Sequence, residues 1–113
     1  MKRLLVLFLA LPLLALAADP RYIEGPIKRE ADGTIKRSAA SLYQFRKDHP
    51  CPETGRVSGA CPGWAVDHVI PLACGGVDLP VNMQWLPVAI KSCAGDQCKD
   101  RWERRIYCPK GEQ

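Results

Sequence analysis

A small α+β domain, stapled by disulfides, is the fold class this sequence predicts. Three observations predict it. Two short apolar stretches flank a Gly75-Gly76 turn, helical patterns stand on either side of that pair, and six cysteines are spread along only 113 residues. One core of modest size is all that such a length can bury.

The first 17 residues read as a signal peptide. Met1-Lys2-Arg3 is a short positive segment, Leu4 to Leu14 is apolar except for Pro12, and Ala15-Leu16-Ala17 has the Ala-x-Ala form of a cleavage site. The apolar run is too short to span a bilayer comfortably. No cysteine follows it at a lipidation position, and there is no twin-arginine pair. Losing 17 of 113 residues leaves 96, and losing Lys2 and Arg3 lowers the net charge from +4 to +2. So small an excess does not by itself imply nucleic acid. The expected location is secreted or periplasmic, with no membrane association after cleavage.

Residues 18–37 carry Pro20, Gly25, Pro26 and Gly33 among charged side chains and read as an extended basic arm. Ser38 can cap a helix running to about Asp48, with Leu42 and Phe45 on one face. His49-Pro50-Cys51-Pro52 ends it, because proline disfavours the α conformation in the residue before it. Residues 51–63 form a turn-rich loop. Val66 to Leu72 reads as a strand, Cys74 to Asp78 as a turn, and Val81 to Leu86 as the returning strand. A helix can start near Val88 and break near Gly95. Lys99 to Tyr107 is a stronger helix, with Trp102 and Ile106 four apart and Asp100 four before Arg104. Trp64, Trp85 and Trp102 are expected in the core.

Six cysteines in an exported chain imply disulfides, since that compartment is oxidising. A zinc ribbon needs Cys-x-x-Cys knuckles, and Cys51, Cys61, Cys74, Cys93, Cys98 and Cys108 contain none. Six cysteines allow fifteen pairings. In one of them Cys51–Cys61 closes the Pro/Gly-rich loop, Cys93–Cys98 closes a small loop around Gly95, and Cys74–Cys108 ties the turn to the last helix.

The run Val66-Asp67-His68-Val69-Ile70-Pro71-Leu72 places a carboxylate and an imidazole side by side, and Asn82-Met83-Gln84-Trp85 returns beside them after the Gly-Gly turn. His68 suits a general base, because imidazole titrates near neutrality. Proton transfer of this kind contributes about 10²- to 10⁴-fold. Asp67 offers the hard oxygen that Mg²⁺, Mn²⁺ or Ca²⁺ prefers. In a regular strand Asp67 and His68 face opposite ways, so both reach one phosphate only if the strand bends or ends there.

Trp64 to Trp85 resembles the core of the HNH endonucleases, and particularly small secreted HNH proteins, in which a segment like Phe45-Arg46-Lys47-Asp48-His49-Pro50-Cys51-Pro52-Glu53-Thr54-Gly55 precedes the core. The likeness spans roughly residues 37–107. It implies a ββα-metal core with an added N-terminal and C-terminal helix, occupying a nuclease domain at 38–113. It implies a divalent ion, Mg²⁺ or Mn²⁺, on Asp67, with His68 and Asn82 as the catalytic residues. Asn82 would act structurally, bonding backbone across the loop to hold His68, and Gly75 and Gly76 would supply positive φ. Hydrolysis of DNA, with RNA left open as a second substrate, at weak sequence specificity and with 5′-phosphate ends is the implied activity. The expected state is a monomer. Two rivals stand beside it: a non-catalytic binding protein on the same scaffold, and a nuclease toxin with an immunity protein as partner.

The resemblance fails at one position. The family carries a further His or Asn nine residues after the middle asparagine, and here that residue is Lys91. A protonated lysine cannot ligate a metal. Either Lys91 contacts the phosphate, or the count slips and Asp96, Gln97 or Asp100 serves instead. Lys91, Arg101, Arg104 and Arg105 form the expected phosphate-binding rim, with Arg46, Lys47 and Lys99 flanking it. His49 is expected at a helix end.

Overall fold

The computed structural model describes residues 1–10, 12 and 18–109. Residues 1–10 are exposed and without regular secondary structure, and the expected cleavage sequence Ala15 to Ala17 lies outside the described residues. The described chain is a small α+β fold with three α-helices, a two-stranded antiparallel sheet and three disulfides.

Helix α1 spans Ala39–Asp48 and begins where Ser38 accepts a hydrogen bond from Ser41 N. His49 closes it, donating its backbone N–H to Phe45 O. Strand β1, Trp64–His68, pairs with β2, Met83–Pro87, in the register Val66 opposite Trp85, Asp67 opposite Gln84 and His68 opposite Met83. Two single 3-10 turns, Leu72–Cys74 and Pro80–Asn82, lie between the strands. Helix α2, Val88–Lys91, follows β2 directly, and α3, Lys99–Tyr107, comes after the loop through Gly95. Among the described residues no helix is long and apolar enough to cross a membrane.

The strand expected over Val66 to Leu72 starts earlier and stops at His68. Val69 to Leu72 are apolar because they enter the core, where Ile70 is fully buried, and not because they pair. The returning strand starts at Met83, because Pro80 to Asn82 are wound into a 3-10 turn. The tryptophans expected in the core are only partly buried: Trp85 packs beside Phe45 and under the Arg46 guanidinium, with its indole N–H on His49 O.

Residues 18–37 are extended and tied to the core. Tyr22 bridges Gly76, Ile23 N donates to Gly75 O, and Val77 N donates to Arg21 O. The Tyr22 hydroxyl donates to Tyr107 O, closing over the cluster of Ile70, Cys74 and Cys108. The Arg21 guanidinium hydrogen-bonds Asp19 and holds its carboxyl below the usual carboxylate range. Farther out, Arg29 and Ile35 bridge in a small hairpin turn.

The disulfides are Cys51–Cys61, Cys74–Cys108 and Cys93–Cys98, one of the fifteen arrangements open to six cysteines. Cys74–Cys108 joins the 3-10 turn that follows His68 to the end of α3, so the two walls of the cleft described below are covalently linked. The intact mass of the exported protein is expected to lie six hydrogens below the fully reduced value, with no zinc bound. Six free thiols by mass spectrometry would reject this pairing.

Candidate functional site

Strand β1 ends at His68, and this is what brings Asp67 and His68 to a common cleft. The cleft, of about 360 Å³, is lined by both residues together with Arg37, Lys91, Glu103 and Arg104. A larger groove of about 1030 Å³ runs between the arm and the turn, lined largely by apolar side chains such as Ile23, Ile27, Ile35 and Val77. Chemistry and not size selects the smaller one, since it holds His68 together with the buried Asp67 carboxylate and Lys91.

The His68 ring is half-buried, and its Nε2 lies 2.8 Å from Asp78 Oδ1. A carboxylate accepts only, so in the neutral ring Nε2 carries the proton and Nδ1 is left with the lone pair. Nδ1 has no protein partner among the described residues. The other Asp78 oxygen accepts from Ser38 N, the backbone at the cap of α1. Asp78 therefore couples the ring's orientation to the start of that helix. It is a residue of the candidate site that sequence reasoning missed, because an aspartate at a turn is ordinarily a local feature.

Asn82 is fully buried and makes three hydrogen bonds across the loop. Oδ1 accepts from Ile70 N at 2.9 Å, and Nδ2 donates to Ile70 O at 2.9 Å and to Val77 O at 3.0 Å. Val69 N donates to Asn82 O at 2.8 Å. The amide thus satisfies backbone groups that the loop between His68 and Asp78 would otherwise bury unpaired. Gly76 lies against this clamp: a Cβ there would stand 2.0 Å from Ile70 O and 2.8 Å from Asn82 Nδ2. Of the two glycines expected to need positive φ, only Gly75 does, at 88°. Gly76 is there for close approach.

Asp67 is only 2% exposed and is surrounded by donors. Oδ1 lies 3.1 Å from Lys91 Nζ, and Oδ2 lies 3.2 Å from Lys99 Nζ and 3.0 Å from Gln84 Nε2. Lys99 also donates to His68 O at 2.9 Å and to Glu103 Oε2 at 2.5 Å. Asp100 Oδ1 lies 3.8 Å from Lys91 Nζ, while its Oδ2 accepts from Ser92 Oγ.

This donor set does not fit the expected Mg²⁺ or Mn²⁺. Such an ion keeps several waters and is held by one or two carboxylates whose oxygens are free to face it. Here one carboxylate stands at the centre of the site and both its oxygens already hold ammonium groups. Asp96 and Gln97, the candidate replacement ligands, lie exposed on the loop before α3.

Of the expected phosphate-binding rim, Lys91 and Arg104 line the cleft. Arg101 reaches Ala94 O on the loop after α2, and Arg105 is exposed on α3; neither lines the cleft. Lys99 turns out to be buried and central rather than peripheral.

Comparison of the chain with protein-family models, curated proteins and solved structures finds no match to any of them.

Proposed function

We propose that this protein is an exported, monomeric phosphodiester hydrolase acting on DNA, with an HNH-like ββα arrangement of β1, β2 and the short α2. The observation that supports this reading is the His68–Asp78 pair beside a cationic wall. Asp78 holds one ring nitrogen and leaves Nδ1 to take a proton from water. The oxygen of that water attacks phosphorus, the P–O bond to the sugar oxygen breaks, and the departing oxygen leaves as an alkoxide that is protonated by solvent. Asn82 keeps the loop in place. Lys91 and Arg104 offer positive charge to the phosphate. A secreted or periplasmic location accords with the three disulfides.

Nicking of a supercoiled plasmid by the purified oxidised protein tests the reading. His68→Ala should lower the rate by at least about 10²-fold without changing the far-UV spectrum. Asp78→Asn, which keeps size but weakens the hold on Nε2, should lower it less. An unchanged rate in His68→Ala rejects the assignment. Duplex binding with no nicking under any condition supports instead the non-catalytic binding protein.

A further inference from the structure

We propose that Lys91 and Lys99, gathered on the buried Asp67 carboxylate, take the place of a divalent ion and make this a metal-free site for a phosphodiester of a nucleic-acid backbone. The inference takes its ligand from the function proposed above, and reverses the role expected of Asp67. Asp67 is not a metal ligand but the anchor for two ammonium groups.

Lys91 stands where the HNH resemblance expects a ligand. Its Nζ sits between two carboxylate oxygens, Asp67 Oδ1 at 3.1 Å and Asp100 Oδ1 at 3.8 Å. That is the position of a cation between acidic groups, filled by a side chain. Only the Asp67 contact is a hydrogen bond. An ammonium has three donors, so two remain for a ligand. The side chain is 26% exposed and lines the cleft with His68, so those donors are reachable.

Lys99 is 5% exposed and makes its contacts to Asp67, His68 O and Glu103 from the first residue of α3. Helix stability does not explain it there. A cation at a helix N-terminus opposes the dipole, and Lys preceding Glu by four is the weaker order for an ion pair. Its location is explained by Asp67 and the His68 carbonyl. It neutralises Asp67 from behind, which leaves the charge of Lys91 available to an anion. Arg37 and Arg104 on the cleft walls offset Glu103 there and Asp78 behind His68, so an incoming phosphate meets no excess of negative charge.

Three measurements on the oxidised protein test this. Duplex oligonucleotide binding is followed by anisotropy in chelator across a salt series. The parent should bind, and Lys91→Ala should bind about tenfold more weakly, with the log–log salt slope reduced by about 0.9, one phosphate contact. Lys91→Gln, one atom shorter but still carrying two donors, removes the charge and should lose the same slope. Inorganic phosphate should compete only weakly if the diester in a backbone is the ligand. Calorimetric titration with Mn²⁺ should show no stoichiometric site. Stoichiometric Mn²⁺ binding that disappears in Asp67→Asn would overturn the proposal, as would the parent's affinity and slope retained in both Lys91 variants. Nicking that requires added Mg²⁺ or Mn²⁺ would leave the hydrolase reading standing and reject this one. Lys91-dependent binding in chelator without any nicking would do the reverse.

Discussion

Gly76→Ala is expected to lower stability by at least about 3 kcal/mol, measured by urea unfolding with the disulfides intact. Its Cβ would fall 2.0 Å from the Ile70 carbonyl, a backbone atom that cannot rotate away. That carbonyl is already fixed by Asn82 Nδ2, itself 2.8 Å from the new carbon. Gly76 cannot retreat either, because its N–H is held by Pro71 O at 3.0 Å and its neighbours pair with the arm through Ile23 and Arg21. The clash must therefore open the Asn82 clamp or detach the arm. Either change releases the loop that carries His68 toward Asp78, so nicking should fall with the native population. Gly75→Ala is the control. It strains a φ of 88°, but its Cβ meets only Ile23 Cγ1 at 3.8 Å, so it should cost about 1–2 kcal/mol. Equal midpoints for the two variants would show that close approach at Gly76 is not what the position requires.

This pair of glycines also shows what could be read in the sequence and what could not. A Gly-Gly turn between two apolar stretches announces a tight reversal, and the cap at Ser38 and the bounds of α3 are legible for similar reasons: each depends on neighbours in sequence. That the cysteines pair is legible from their number, but which joins which is not, because six allow fifteen arrangements. The strand ends were not legible, since Val69 to Leu72 are apolar for burial and carry the same signal as pairing. Asp78 and Lys99 were not legible as site residues. An aspartate in a turn and a lysine at a helix start are ordinarily solvated, and nothing local says that one will meet His68 ten residues back and the other Asp67 across 32. The arm's attachment depends on a Tyr22–Tyr107 contact spanning most of the domain, which no local pattern encodes.

Asp67→Ala is expected to cost about 3–5 kcal/mol in metal-free buffer, because it removes one member of a buried ion cluster and leaves the others. Lys99 would keep Glu103 and the His68 carbonyl but lose the carboxylate at 3.2 Å while remaining 5% exposed. Gln84 would lose its acceptor as well. Breaking a buried pair from one side is costly where replacing both members is not, so Asp67→Ala combined with Lys99→Met should recover most of the loss. Glu103, 17% exposed at the cleft, can then turn to water. Urea unfolding of the parent, both single variants and the double variant gives the coupling energy directly. A metal-ligand role predicts the opposite result without metal. A ligand carboxylate kept ready for an absent cation is a burden on the empty protein, and its removal leaves stability unchanged or raises it. An Asp67→Ala protein as stable as its parent in chelator would therefore return Asp67 to the ligand role that the sequence pattern implies, and would leave the two lysines without an anchor.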